Sequence, residues 1–434
     1  MSFAQLGLRE PLTTTLAALA YQTPTPIQRQ AIPAILAGRD VMAAAQTGTG
    51  KTAAFLLPLL QGLIGEDAVP GAGGVRVLIL VPTRELAEQV MESCCRYAAT
   101  TTIECYAAYG GVKLGPQLTR LQAGVDVLVA TPGRLVDLLT RRALKLHQLR
   151  AVVLDEADRM LDLGFAEDLT IIFQSLPRQR QTLLFSATFA DAVRGLARSR
   201  LRDPVNIEVS PRNSAATTVK QWVVPVDKKR KGDLFLFMWR DRNWQQVLVF
   251  VKTKKTADEL AARLQSKQIA AEAIHGDRPQ ASRLAALGAF RDGSVKVLVA
   301  TDVAARGLDI DGLPQVVNFD LPLQAEDYVH RIGRTGRAGA AGEAISFVCA
   351  DEAPLLAAVE NLLKKPLSRD EEPGFEPSHR VPPTAGPGAV TRRPSPSVKV
   401  AAKPAGRRGV PGNWVDFDSG SRSRRPSAGR SRGK

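Results

Sequence analysis

Ala45-Gln-Thr-Gly-Thr-Gly-Lys-Thr52 follows the short apolar run Asp40–Ala44 and leads into the helix-like stretch Ala53–Leu60. A strand, a loop of small residues and a helix, in that order, make the phosphate-cradling unit of a parallel α/β fold. Backbone N–H groups gather phosphate oxygens at the helix start, where the dipole favours negative charge. The loop residues Ala45, Gln46, Thr47, Gly48, Thr49 and Gly50 would surround a nucleotide's phosphates. Lys51 would reach the β- and γ-phosphates, and the Thr52 hydroxyl would ligate Mg²⁺. Ala45 stands where the generic pattern has its first glycine.

Further along, Asp155-Glu156-Ala157-Asp158 ends the apolar run Ala151–Leu154. Carboxylates at the end of such a strand complement the phosphate loop: Asp155 can hold Mg²⁺, and Glu156 can orient and deprotonate a water facing the γ-phosphate. Together the two motifs point to ATP and Mg²⁺ as cofactors.

The surrounding pattern agrees. Short β-branched runs alternate with helix-like segments, the signature of a parallel sheet. They are Asp40–Ala44, Val75–Val81, Val125–Ala130, Ala151–Leu154 and Thr182–Phe185, then Gln246–Val251, Val295–Ala300, Val316–Phe319 and Ala344–Val348. Two α/β domains of similar size are expected, over residues 1–209 and 219–365, joined by the polar linker 210–218. From 366 to 434 Pro, Gly, Ser, Ala and Arg dominate, and too few large apolar residues remain to offset chain entropy, so a disordered tail is expected. Its aromatic island is Trp414-Val-Asp-Phe417.

The formal net charge of +15 is unevenly placed. Residues 375–434 hold thirteen Lys/Arg against three Asp/Glu, a net of +10, which leaves +5 for residues 1–374. A basic tail on a near-neutral body suits a polyanionic partner. No apolar run approaches the length of a membrane helix, and Met1–Glu10 lacks a secretory pattern. Cys94, Cys95, Cys105 and Cys349 show no metal-type spacing and suggest no disulfide framework, so the reducing cytoplasm is the expected compartment.

Over about residues 3–350 the chain resembles the DEAD-box RNA helicases, whose two domains are tandem RecA-like units. Tyr21-Gln-Thr-Pro-Thr-Pro-Ile-Gln28 resembles the family's Q motif. The resemblance implies that Gln28 reads adenine, that Phe3 stacks on the base, and that Tyr21 and Thr23 belong to the same nucleotide site. Pro82-Thr83-Arg84-Glu-Leu86, Gly110-Gly111 and Thr131-Pro132-Gly133-Arg134 resemble the segments that grip RNA phosphates, a role suited to loop N–H groups, hydroxyls and arginines. Ser186-Ala-Thr188 resembles the motif that couples hydrolysis to strand separation through Asp158.

In the second half, Val249–Val251 and His275–Arg283, with Gln280 and Arg283, resemble RNA-facing elements, as do Thr301 and Arg306. Asp309 matches a ribose contact. His330-Arg331-Ile-Gly-Arg334-Thr-Gly-Arg337 resembles the motif with the arginine fingers, Arg334 and Arg337. Its arginines recur every three residues, so one helical turn would present them on one side. His330 and Arg331 belong to the coupling set.

The resemblance implies RNA-stimulated ATP hydrolysis coupled to local, non-processive unwinding of short duplexes, with sequence-blind RNA contacts and a monomeric core. The compact core and basic extension look RhlE-like, which implies ribonucleoprotein, ribosome-assembly or RNA-decay partners. An ATP-gated RNA clamp is the alternative carried by the same motifs. A DNA-tracking motor is disfavoured by the Gln28 segment and the Asp155 tetrapeptide.

Overall fold

A computed structural model of the chain describes residues 1–45, 48–65, 71–187, 189–209, 219–305, 310, 312–336 and 342–384. The first sheet contains β1 Val41–Ala44, β2 Val75–Leu80, β3 Cys105–Ala108, β4 Val125–Ala130, β5 Ala151–Leu154, β6 Gln181–Ser186 and β7 Val205–Glu208. The second contains β8 Val219–Pro225, β9 Val247–Val251, β10 Ala271–Ile274, β11 Val297–Thr301, β12 Gln315–Asn318, β13 Gly342–Val348 and β14 Ser368–Arg369. Every pairing is parallel. The orders are β3-β4-β2-β5-β6-β1-β7 and β10-β11-β9-β12-β13-β8-β14. Adding seven to each label of the first order produces the second, so the two lobes repeat one RecA-like topology. Both belong to one structural unit, Met1–Ala389.

The strands read as unbroken apolar runs because helices cover both faces of each sheet. Val41–Ala44, Val75–Leu80 and Val247–Val251 are buried at every position. Along β2, Val77 and Ile79 enter one core with Phe55 and Val90, and Leu78 and Leu80 enter the other with Leu135 and Met160. That alternation is the period-two geometry of a strand sandwiched between two helical layers.

Because all strands run the same way, their C-terminal ends share one edge of each sheet. The order then divides that edge. The loops after β3, β4 and β2 lie side by side, and those after β5, β6 and β1 occupy the other half. Phosphate-loop and acidic motifs therefore gather apart from residues 82–86, 110–111 and 131–134.

The structure differs from the sequence expectation in two ways. Strands β3, β7, β8, β10 and β14 were missed: β14 is only two residues long, polar residues interrupt β7 (Asn206, Glu208), β8 (Lys220, Gln221) and β10 (Glu272), and β3 Cys105–Ala108 has no β-branched residue. Also, residues 366–384 are not tail. Leu367 and Val381 are buried, β14 pairs with Trp222 and Val223 of β8, and Phe375 packs on Phe237 at 5.4 Å under the Arg230 guanidinium. Asp227 accepts from Ser378 N at 3.0 Å. Scattered single anchors, none periodic, tie this segment down. The linker 210–218 and the chain from 385, including Trp414–Phe417, lie outside the described residues.

Candidate active site

The helix Lys51–Gln61 starts directly from the phosphate loop, with Gly50 at its N-cap in the left-handed region (φ 89°). A β-carbon at Gly50 would collide with the Gln28 amide, so glycine is needed for both conformation and space. Gln28 closes the other side. It sits in the helix Pro26–Leu36, capped by a reciprocal Thr25–Gln28 box, and its amide accepts from Thr25 N at 2.9 Å and donates to Gly50 O at 3.2 Å. At 2% exposure it braces the loop and does not face the cleft. These two bonds use one of the amide's two acceptor positions and one of its two donors, so one of each remains.

A cleft of about 320 Å³ is lined by Tyr21, Gly48, Gly50, Lys51, Thr52, Asp155, Glu156 and Arg334 among others. The last comes from the second lobe, so the cleft is a two-lobe structure. Phe3 is not in its wall. It is buried behind Tyr21, ring centroids 6.4 Å apart, so Tyr21 presents the aromatic face. Burial in the first lobe's core, which sequence spacing does not report, decides between the two rings. Ala45 is buried and Thr23 exposed.

Lys51 Nζ is buried with no hydrogen-bond partner among the described residues. A buried ammonium left unmatched calls for an anion from outside. Asp155 is also enclosed. Burial pushes its carboxyl up to about 6, while Lys51 pulls the other way and Glu156 adds to the rise. Hard oxygen donors at Asp155 and Thr52 beside an uncompensated lysine suit a Mg²⁺–nucleotide complex. Glu156 holds a left-handed backbone (φ 53°, ψ 52°) as β5 turns into the helix Ala157–Asp162. A non-glycine residue there stores strain of about 1–3 kcal/mol. Its carboxylate pairs with Arg159 Nη1 at 3.4 Å.

Asp158 accepts from Ala187 N at 3.0 Å. The acidic motif and the Ser186 segment are therefore joined directly, through the backbone of the middle residue.

Arg331 and Arg334 do not share a side. The helix Ala325–Ile332 ends at Gly333. Arg331 turns into the second lobe: its guanidinium grips Asp302 at 2.6 and 2.7 Å, bonds Asn318 and Asp320, and lies over Phe250. Arg334, past the helix end, lines the cleft. The one-sided expectation is corrected because the helix stops between them. His330 is half-buried near Asp327.

On the other half of the strand-end edge, Gly111 has φ 81° and no room for a β-carbon against the Arg84 guanidinium. Arg134 donates to Gln117 Oε1 at 2.6 Å and Val112 O at 3.2 Å, so it shapes the Gly110–Gly111 loop. Thr83 caps the helix Arg84–Tyr97, and Pro132 opens the helix Pro132–Thr140, with Thr131 before it and Gly133 within it. Gln280, Arg283 and Thr301 are buried. Arg283 meets Glu85 at 3.0 Å, a buried ion pair between lobes. Its guanidinium pKa is lowered by burial and by Arg84, with Glu85 opposing. Gln46, Thr47, Thr188, Arg306, Asp309 and Arg337 lie outside the described residues.

Sequence reasoning missed the cleft wall formed by Gln89, Ser93, Arg96 and Tyr97. Their spacing puts them on one face of the helix Arg84–Tyr97, a signal that was present. Tyr97 meets Tyr21 edge-on, with hydroxyls 3.1 Å apart. Arg159, the partner of Glu156, was also missed.

A phosphate loop, strand-end carboxylates and an arginine from a second RecA-like lobe, all on one cleft, define a two-lobe P-loop ATPase. Family models narrow the class: "DEAD/DEAH box helicase" matches residues 25–196, and "Helicase conserved C-terminal domain" matches 230–339. The DEAD-box ATP-dependent RNA helicase CshA of Bacillus subtilis is 40% identical over 376 residues, covering 87% of this chain and 75% of the relative. CshA of Geobacillus kaustophilus is 41% identical over 375 residues, 86% and 79%. Among solved structures, S. cerevisiae Dbp5 bound to RNA and ADP BeF3 aligns with TM-score 0.77 at 35% identity, covering 85% of this chain and 95% of that one. A DEAD box protein from Methanococcus jannaschii reaches 0.51 at 34%, covering 85% and 99%. The chain belongs to the DEAD-box ATP-dependent RNA helicases.

Proposed function

We propose that this protein hydrolyses ATP when RNA draws its two lobes together, and so opens short RNA duplexes locally and without long-range translocation. The observation that carries this reading is the cleft in which Arg334 of the second lobe joins Lys51, Asp155 and Glu156 of the first. Lys51 would hold the β- and γ-phosphates, and Thr52 and Asp155 would hold Mg²⁺, which supplies charge neutralisation on the phosphate oxygens when bound. Glu156, oriented by Arg159, would take a proton from the attacking water as the γ-phosphoryl passes to it and ADP departs. Arg334 would face the charge that develops on the transferred group; Arg337 shares that role by family resemblance. Tyr21 would offer the base a stacking face, with Tyr97 fixing its angle.

The RNA-gripping set would be the loops after β3, β4 and β2 with their counterparts in the second lobe: Pro82–Arg84, Gly110–Gly111, Thr131–Arg134, Gln280, Thr301 and Arg306. Arg283 belongs with the lobe contact through Glu85 as much as with RNA. Closure joins both halves of the edge, so by linkage ATP tightens RNA and RNA tightens ATP. Asp158, Ser186, Thr188, His330 and Arg331 would transmit the change between halves, and Asp309 would meet the ribose.

Domain bounds of 1–209 and 219–384 suit the two sheets, with 210–218 as linker. The compact core with a basic extension supports the RhlE-like subgroup, while the relatives reported above carry the CshA name. A cytoplasmic, monomeric core with ribonucleoprotein partners completes the proposal; no helix among the described residues is long and apolar enough to cross a membrane.

The test is ATP turnover with and without RNA, beside strand displacement. Stimulation by RNA and little by single-stranded DNA is expected, with displacement of short duplexes. RNA-independent turnover at full rate would sink the proposal. RNA retention with no displacement would instead leave the clamp reading.

A further inference from the structure

The edge where strands enter the first sheet is the edge opposite the nucleotide and RNA loops, and it is crowded with arginine. Arg178 and Arg180 precede β6, and Arg200 and Arg202 precede β7. Strands β6 and β7 flank β1, which brings the two segments together. Arg180 and Arg200 both lie over the Phe173 ring, at 5.2 and 5.0 Å. Arg202 Nη2 donates to Arg178 O at 2.5 Å.

Among the described residues, none of the four forms an ion pair with a carboxylate. The nearby Asp40 already accepts from Thr182 N and Arg202 N, both at 2.7 Å. Among the described residues Arg180 Nε and Arg200 Nε are buried without a hydrogen-bond partner, while Arg180 Nη1 donates to Pro177 O at 2.6 Å and Arg200 Nη2 to Thr170 Oγ1 at 3.2 Å. Burial and the charges of Arg202 and Arg200 lower the Arg180 pKa, with Asp40 opposing. Arg180 and Arg200 thus share one ring beside the Arg202–Arg178 contact, and the cluster has no carboxylate counterion among the described residues.

We propose that this edge binds the phosphodiester backbone of an RNA segment that extends beyond the cleft, through Arg178, Arg180, Arg200 and Arg202. A helix C-terminus attracts cations, which accounts for Arg200 at the end of the helix Asp191–Arg200. It does not account for Arg178, Arg180 or Arg202, which lie outside that helix. Guanidinium forks match phosphate oxygens two at a time, and stacking on Phe173 pre-organises two of them. The distance is reasonable: a six-residue strand spans about 20 Å, which a stacked duplex covers in about six base pairs at 3.4 Å each. The inference rests on the reading of the cleft as the primary RNA site, and the experiment separates the two.

The full-length chain is titrated, with a non-hydrolysable ATP analogue, against a single strand just long enough to fill the cleft and against the same strand extended by a duplex. In Arg178→Gln/Arg180→Gln/Arg202→Gln, affinity for the short strand and its stimulation of turnover are expected to stay within about twofold of wild type. Affinity for the extended RNA is expected to fall about tenfold. Its dependence of log affinity on log salt should lose about 2 units of slope, since each phosphate contact contributes about 0.7–0.9. Equal loss on both RNAs, or no loss on the extended one, overturns the proposal, as does equally strong, equally arginine-dependent binding of polyglutamate. If the triple variant folds poorly, Arg178→Glu/Arg202→Glu, both exposed positions, is read by the same criteria. Failure of the short strand to stimulate the wild type would count against the cleft reading alone.

Discussion

Lys51 and Lys231 hold the same place in the two lobes, yet they have opposite surroundings. Each is the first residue of the first α-helix after its lobe's first strand, β1 or β8, and each is buried, at 6% and 1% exposure. Among the described residues Lys51 Nζ has no hydrogen-bond partner. Lys231 Nζ is fully matched: it bonds Phe319 O at 2.7 Å, Asp320 at 3.2 Å and Glu352 at 2.7 Å. Asp320 stands two residues past β12, as Glu156 stands two past β5.

The second lobe has therefore closed its own copy of the phosphate site with an internal ion cluster. The first lobe leaves its lysine for an external anion. One topology serves as an enzyme half in one copy and as a scaffold that delivers Arg334 in the other. What separates them is which charges have internal partners.

The sharpest way to break this comparison is to remove each lysine. Lys51→Met should lower RNA-stimulated ATP turnover at least a thousandfold, within the range attached to charged groups at transferring phosphoryl groups, while thermal unfolding moves little. Lys231→Met should do the reverse. Leaving Asp320 and Glu352 without their cation is expected to cost about 3–5 kcal/mol, seen as a fall in the unfolding midpoint with turnover per folded molecule largely kept. Equal stability losses in the two variants would show that the lysines are equivalent after all.

Arg334→Ala tests the second lobe's contribution. Turnover should fall by about three powers of ten, with RNA affinity in the absence of nucleotide retained, as measured by anisotropy.

The boundary of the second lobe gives a smaller effect. Truncation after residue 365 removes β14, Leu367, Phe375 and Val381 and is expected to destabilise that lobe by about 2–4 kcal/mol, the scale of burying one or two large side chains. Truncation after 384 should leave stability unchanged and only weaken RNA binding and flatten its salt dependence, because the removed segment carries twelve Lys/Arg against two Asp/Glu. Identical melting curves for the two truncations would return the boundary to 365.

The mildest prediction concerns pH. Asp155 without ligand titrates near 6, above its ordinary value of 3.8. Between these values the native state takes up a proton the unfolded chain does not, so this group favours the ligand-free fold as pH falls through about 6 toward 4. Mg²⁺–nucleotide binding needs the carboxylate and should weaken over the same range. Calorimetry at pH 5.5 and 7.5 should show the difference, and Asp155→Asn should remove it.

Much of the site was legible because its chemistry is local. Ala45–Thr52 and Asp155–Asp158 each place their groups within one strand-to-helix turn, where the residues' order alone sets geometry. Strands β3, β7 and β10 were not legible, since polar residues interrupt β7 and β10 and β3 has no β-branched residue, whereas the equally short β1, β5 and β12 are more apolar or β-branched. Nor was the packing of residues 366–384, whose anchors Leu367, Phe375, Ser378 and Val381 attach one at a time. Phe3 and Tyr21 could not be ranked from sequence, because which ring faces the cleft depends on the core behind them. The use of Gln28 as a brace, and the parting of Arg331 from Arg334 at Gly333, likewise depend on neighbours distant in the chain.

By itself the sequence determined the fold class, the repeat of two α/β lobes, the phosphate loop and the acidic motif, because strand alternation and turn chemistry are short-range effects. Tertiary structure decided which charges are matched. Lys51 and Lys231 each open the first α-helix after a lobe's first strand, but residues 319–320 and 352 approach Lys231 and match its charge, whereas no described residue hydrogen-bonds Lys51 Nζ.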